Sequence, residues 1–525
     1  MMTKRGRAGA AAIVTVTAVC AAMVAASPAK AGGVPGFGGG FLPGNLVVSE
    51  SFYTPDRGIV AGKTQLPPGC TTGCVTATAG GTYPQVFNNV LADPSFGVTS
   101  RIFLSQLTPS GRPLGTFAGP ANLVTSFSSK SELALNLSPD GRTLSFMGYV
   151  AKPDQVDVSN SSTPGVVDPT DPVPGAFYRA AAQMSGDGRT RLTETNAYSG
   201  NNGRAAITAQ AGGKQLIYTA GNAGNGGNPQ PDGVILGAGA QLITPGAAPG
   251  APTPVGSFNI TELGDKADKI GKDDNFRGLA IFDNVLYYTK GSGSNGVNTV
   301  YFLDTTGKAC PNGAGRPAAG ASLPASPLSY DPSTLQANGL PSNMCVLKGF
   351  PAALKSATSF PFGLWFANAD TLYVADEGNG TTIFSGGTYT AAAAQTTAGL
   401  QKWVFDGSEW KLAYTLQAGL NLGQPYTVRG YPTGDNAATG LPWAPATDGL
   451  RNITGHVNPD GTATIWAVTS TVSGGGDQGA DPNKLVEITD PPAATAPPGG
   501  EGFRTVQTAR FAEVIRGVSF TPGTR

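Results

Sequence analysis

Glu132-Leu-Ala-Leu-Asn-Leu-Ser-Pro-Asp-Gly-Arg-Thr-Leu-Ser-Phe146 is an apolar strand, a tight polar turn and a second apolar strand. Alternating apolar residues lead into Pro139-Asp140-Gly141, a hairpin-turn sequence, and a second apolar run leaves it. The phrase recurs at Arg204–Tyr218, Arg277–Tyr288, Phe362–Val374 and Arg451–Trp466, and a last copy, Arg516–Pro522, stops after one strand. The copies start at 132, 204, 277, 362, 451 and 516. Hairpins repeated at so long a period belong to propellers or solenoids.

Further strand patterns follow the copies. Phe177–Met184 and Thr190–Tyr198 follow the first, Leu400–Phe405 and Trp410–Leu416 the fourth, and Leu485–Thr489 and Phe503–Thr508 the fifth. Four antiparallel strands per unit make a propeller blade. At the N-terminus, Asn45–Phe52, Ser100–Leu107 and Arg112–Phe117 lack a first strand, and Val514–Phe520 lacks a second. The expectation is an all-β, six-bladed β-propeller of four-stranded antiparallel blades. Its ring is closed by the C-terminal strand joining the N-terminal blade, which removes the exposed edges. A seventh blade would have to lie in 420–449, where no paired strand pattern is seen.

The chain has 525 residues, 13% charged, with Lys+Arg and Asp+Glu equal at 34 each. That balance gives no reason to expect a nucleic-acid partner. Lys4, Arg5 and Arg7 precede an apolar stretch, Ala8–Ala26, and Ala29-Lys30-Ala31 fits a signal-peptidase site. The reading is a signal peptide over 1–31, a Gly-rich linker over 32–44 and one propeller domain over 45–525. The mature protein is expected to be secreted, monomeric and free of membrane spans. Cleavage removes Cys20 and leaves Cys70, Cys74, Cys310 and Cys345. An even number in an exported chain reads as disulfides, and the spacing favours Cys70–Cys74 and Cys310–Cys345.

The turns within hairpins are tight, as at Gly212-Gly213, Asp283-Asn284 and Pro459-Asp460-Gly461. The connections between second and third strands, and between units, are long. A propeller sorts these onto opposite ends, one plain and one elaborated, and loops on a rigid scaffold are where function sits. The exception is 304–345, a long connection on the plain face that Cys310–Cys345 would pin.

The first residues of the repeats start at the elaborated face: Glu132, Arg204, Arg277, Phe362, Arg451 and Arg516. Guanidinium groups grip carboxylate or phosphate bidentately, so this ring suits an anionic small molecule or an acidic carbohydrate. The same arginines would equally serve to pair with acids of neighbouring blades. Trp443, in the long loop with Tyr426, Arg429 and Tyr431, is the best candidate for an exposed sugar-stacking aromatic. Glu50, Asp376, Glu377 and Asn452 place hard oxygen ligands at the same face and suit Ca²⁺ or another divalent cation. His456 is the only histidine, and no Gly-x-Ser-x-Gly elbow accompanies it in a strand–turn–helix setting.

The pattern Arg/Phe-Gly-Leu-x-Phe followed by Leu-Tyr-x-x-Asp/Lys-x-Gly, matched in full at 362–378 and in part at 277–291, resembles secreted propellers of the NHL-repeat and gluconolactonase-like superfamily. The resemblance spans about 45 to 523. It implies a propeller whose activity ranges from metal-dependent lactonase to pure binding module. A lactonase-like metal set requires a Glu, Asn residues and an Asp at the channel mouth, and here Arg holds four of the six first positions. Three functions follow as expectations: binding of an anionic small molecule or carbohydrate, a metal-dependent hydrolase or lactonase, and a non-catalytic interaction scaffold.

Overall fold

The computed structural model describes residues 39–524 apart from 54–59, 61–62, 67–74, 77–97, 127–128, 130, 168–172, 223–238, 248–252, 255–274, 292–296, 311–312, 327–343, 353–358, 437–438 and 475–478. The expected signal peptide and the Cys70–Cys74 pair lie outside the described residues. The described chain is all-β; its helical pieces are the single turns Val158–Asn160 and Thr390–Ala393. No described helix is long and apolar enough to cross a membrane.

The strands form a β-propeller arrangement with four separate blades. The first is Gly203–Ala211, Lys214–Gly221, Ala240–Ile243 and Thr253–Pro254. The second is Phe276–Phe282, Val285–Lys290, Thr299–Leu303 and Met344–Leu347, with Ala314–Gly315 added in parallel at its edge. The third is Pro361–Asn368, Thr371–Asp376, Gly399–Phe405 and Trp410–Leu416. The fourth is Ala446–Val457, Ala463–Val472, Lys484–Asp490 and Arg504–Thr508. In each, every repeat hairpin lies where its turn residues set it; Asp283 and Asn284, for instance, both take the positive φ that a two-residue hairpin turn demands.

Nine further strands form one sheet, and two short ribbons, Gln65–Leu66 with Val75–Thr76 and Phe384–Ser385 with Thr388–Tyr389, stand outside it and the blades. The C-terminal strand Glu513–Phe520 pairs antiparallel with Leu46–Phe52, with Leu46 opposite Phe520 and Phe52 opposite Glu513. Thr99–Leu107 and Pro113–Ala118 follow outward. Leu123–Ser126, a strand absent from the repeat pattern, pairs with Thr99–Arg101 and with Tyr149–Val150, and so splices this group onto Thr143–Val150, Arg179–Ser185 and Thr190–Thr195. The repeat at 132–146 departs from expectation in a second way. Only Asn136–Leu137 of its first strand pairs, because Leu133 adopts a φ of 61° and turns the preceding segment inward.

Apolar side chains fill the space between sheets. Tyr218, Phe276, Tyr288 and Tyr301 are fully buried there, and each such burial is worth about 1.5–3 kcal/mol. The inner strands press together closely enough to explain the glycine that follows Arg277 and Arg516. A methyl group on Gly278 would collide with the Phe362 carbonyl oxygen, and one on Gly517 would sit 2.5 Å from that of Leu133. The Cys310–Cys345 disulfide is present and pins the long connection of the second blade. Among the described residues, 420–445 holds no strand.

Candidate functional site

The first residues of the repeats converge where the inner strands meet. Glu132, Arg204, Arg277, Phe362, Arg451 and Arg516 are all buried there. Glu377, at the end of a second strand, accepts from two of the arginines: Arg277 Nη1 lies 3.1 Å from Oε1, and Arg451 Nε 3.3 Å from Oε2. The Arg277 guanidinium also lies 5.7 Å from the centre of the Phe362 ring, a cation–π contact, and donates to Ser131 Oγ. Strand Pro361–Asn368 thus supplies the platform, and strand Thr371–Asp376 hands on the acid.

Arg516 holds the inward-turned segment. It donates through Nε to Ser51 Oγ at 3.0 Å, and through its two Nη atoms to the carbonyls of Ser129 and Ser126. Glu132 takes no arginine. Its carboxylate accepts from Thr125 Oγ1 at 2.6 Å, Ser126 N at 2.9 Å, Asn202 Nδ2 at 3.0 Å and the Tyr149 hydroxyl. Burial, then the Glu132 carboxylate, pushes the Tyr149 phenol well above its ordinary range, so it stays a donor.

Arg204 turns to the next inner strand. It donates to Asn275 Oδ1 and, at 3.1 Å, to the Phe276 carbonyl, while its Nε has no hydrogen-bond partner. Among the described residues no carboxylate reaches it at ion-pair distance. Burial, and next the neighbouring Arg277 charge, lower its pKa to about 9. Burial also lowers Arg277, and Arg451 adds to that, with Glu377 opposing.

The residues expected to hold a cation are distributed differently. Asp376 adjoins Glu377, but its oxygens accept from Ser359 Oγ, Phe360 N, Gly378 N and Gln401 Nε2. Burial raises it to about 6. The Asn452 amide oxygen accepts from Val518 N at 2.7 Å and Leu135 N at 3.4 Å, tying inner strands together. Glu50 sits with a different acid, Glu513, and accepts from Ser105 Oγ at 2.6 Å and Gln507 Nε2 at 3.2 Å. Desolvation, with Glu513 beside it, pushes Glu50 up to about 8. Among the described residues, one group brings three His, Cys, Asp or Glu ligand atoms together, Asp304 with Cys310 and Cys345, and its sulfurs are spent in the disulfide.

Trp443 corrects an expectation. It is 2% exposed, packed with Val428 and Tyr431, with Tyr53, Tyr426 and Ala512 alongside. The long loop folds on itself, because Asp481 accepts from the Tyr431 hydroxyl at 2.6 Å and so draws the aromatic side chains inward. His456 is exposed at the other end of its strand, its ring 6.1 Å from that of Phe520. The serines at 126, 129 and 131, with Tyr149 and Asn202, escaped sequence reasoning: they carry no periodicity, and they matter only because a left-handed residue redirects the chain.

No protein-family model matches the chain. No curated protein matches it either. Among solved structures it is similar to a family PL25 polysaccharide lyase, an ulvan lyase bound to -[GlcA(1-4)Rha3S]-, at 12% identity and a TM-score of 0.31, covering 81% of this chain and 92% of that one. It is also similar to the PQQ-bound aldose sugar dehydrogenase of Streptomyces coelicolor, at 14% identity and 0.29, covering 75% and 94%. A third is a Synechocystis apocarotenoid oxygenase mutant, at 8% and 0.30, covering 80% and 72%. At these scores the likeness is one of outline, and strand pairing carries the fold.

Proposed function

We propose that this chain is a six-bladed propeller that binds an anionic small molecule or acidic carbohydrate at its central arginine cluster. The blade count is supported by contacts that pass from each inner strand to the next. Arg204 reaches Phe276, Gly278 abuts Phe362, Gly363 abuts Arg451, the Asn452 amide holds Val518, Gly517 abuts Leu133, and Asn136 Nδ2 donates to the Ala206 carbonyl at 3.0 Å. The nine-stranded sheet then counts as two blades joined through Leu123–Ser126, and the Glu513–Phe520 strand closes the ring.

The observation that carries the anion reading is Arg204. A buried guanidinium that no carboxylate reaches among the described residues, with a second guanidinium nearby, is costly, and an anion between them offsets that cost. The test is thermal unfolding of the mature chain with trigalacturonate, glucuronate or phosphate. A ligand bound to the folded state raises the melting temperature by mass action, and sodium chloride erodes the effect. Arg204→Gln is expected to abolish the anion-induced rise. If none of the three anions moves the wild-type transition, the reading is overturned.

A second reading is favoured by Arg516 and Arg277, which hold Ser126, Ser129 and Ser131. On that view the cluster is a scaffold that pins the inward-turned segment. Its mark is a lower melting temperature in Arg516→Gln with no anion effect in either wild type or variant.

A further inference from the structure

The plain face carries a recess that the central cluster does not explain. It encloses about 630 Å³ between the second and third blades, within the usual range of small-molecule sites. Its floor and walls are aromatic: Phe282, Tyr287, Phe366, Phe405 and Trp410. The Phe282 and Phe366 rings stack at 4.4 Å, and Phe366 meets Tyr287 at 4.7 Å and Trp410 edge-on at 5.9 Å. The far wall is Arg316–Ala321, part of the connection that Cys310–Cys345 pins. The charged and amide groups of the lining are Asp283 and Asn284 on one hairpin turn, Asp370 on the next, and Arg316, and the Tyr287 and Trp410 side chains carry polar atoms as well.

We propose that this recess is a binding site for a neutral saccharide. The apolar face of a pyranose ring stacks on aromatic side chains, and its hydroxyl groups need paired donors and acceptors at the edge, which a carboxylate, an amide and a guanidinium provide. Charge selects against the alternatives. Two carboxylates against one guanidinium at the mouth disfavour an anion. An organic cation would compete for the aromatic faces with Arg316, whose guanidinium already lies 5.4 Å from the Phe405 ring centre and donates to the Gly407 carbonyl at 3.0 Å. Two hairpin turns form one wall and the opposite wall is tied by a disulfide, which lowers the ordering cost of binding. It lies at the opposite end of the strands from the arginine ring, and it stands whether or not that ring binds anions.

The test is calorimetric titration of the full mature chain with maltotriose, cellotriose and tri-N-acetylchitotriose, with total tryptophan fluorescence, to which Trp410 is one of five contributors, as a second signal. Trigalacturonate and tetramethylammonium serve as charged comparisons. The expected result is saturable binding of at least one neutral trisaccharide, insensitive to sodium chloride. Phe405→Ala and, separately, Asp370→Ala should each weaken it at least tenfold. Asp370 is exposed, so its variant keeps the wild-type melting temperature and answers the question even if Phe405→Ala unfolds. No binding of any neutral probe, binding of only a charged one at this site, or binding unchanged by Asp370→Ala would overturn the proposal.

Discussion

Glu377→Gln is the perturbation that asks most of the central cluster. The carboxylate lies 3.1 Å from Arg277 and 3.3 Å from Arg451, and it and both arginines are about 3% exposed. At an effective dielectric of about 20, each attraction is about 5 kcal/mol before desolvation is charged against it. The amide keeps the shape but not the charge, and it leaves two guanidiniums repelling each other out of water. Breaking a buried ion pair by removing one partner costs about 3–5 kcal/mol. Against a whole-domain stability of about 5–15 kcal/mol, that is a large fraction. Urea unfolding followed by tryptophan fluorescence should show the midpoint falling with the slope unchanged. Sulfate or phosphate should restore part of the loss at constant ionic strength, because an anion can take the place of the lost carboxylate. A loss under about 1 kcal/mol would refute the reasoning, since it would mean the guanidiniums are hydrated or otherwise neutralised.

Two further outcomes follow from the same geometry. Glu50 is raised from 4.5 to about 8, first by burial and then by Glu513, so the folded state holds its proton more tightly than the unfolded chain. That stabilisation is complete below about pH 4.5 and is lost as pH rises toward 8, a term on the order of 5 kcal/mol. Melting temperature should therefore fall from pH 5 to 8.5, and Glu50→Gln should flatten the slope; equal slopes in the two proteins would count against the paired carboxyls. Cys310 and Cys345 are 35 positions apart, and a loop of that length implies about 4 kcal/mol from the chain-entropy estimate. Reduction, or Cys345→Ser with Cys310→Ser, should lower stability by that order and loosen the plain-face recess; a variant that melts like wild type would show that the connection is held by packing alone.

Sequence alone determined the strand–turn–strand repeat, the all-β class, the Cys310–Cys345 pair and the positions that meet at the centre. These depend on local rules. Alternation sets which face of a strand is buried, Pro-Asp-Gly and Asp-Asn set the turn, and a repeated phrase returns its first residue to the same place in each unit. The tertiary structure decided what those residues meet. Glu377, read from sequence as a metal ligand, stands between Arg277 and Arg451, which lie 100 and 74 positions away. Trp443, expected at the surface, is covered because its loop folds back on a buried aspartate. The strand Leu123–Ser126 and the turn at Leu133, which bring three serines to the arginines, follow no repeat. The plain-face recess arises from aromatics on two blades and a wall from a distant connection. Pairings across tens of residues are set by how sheets pack around a common centre, and no window of sequence contains both partners.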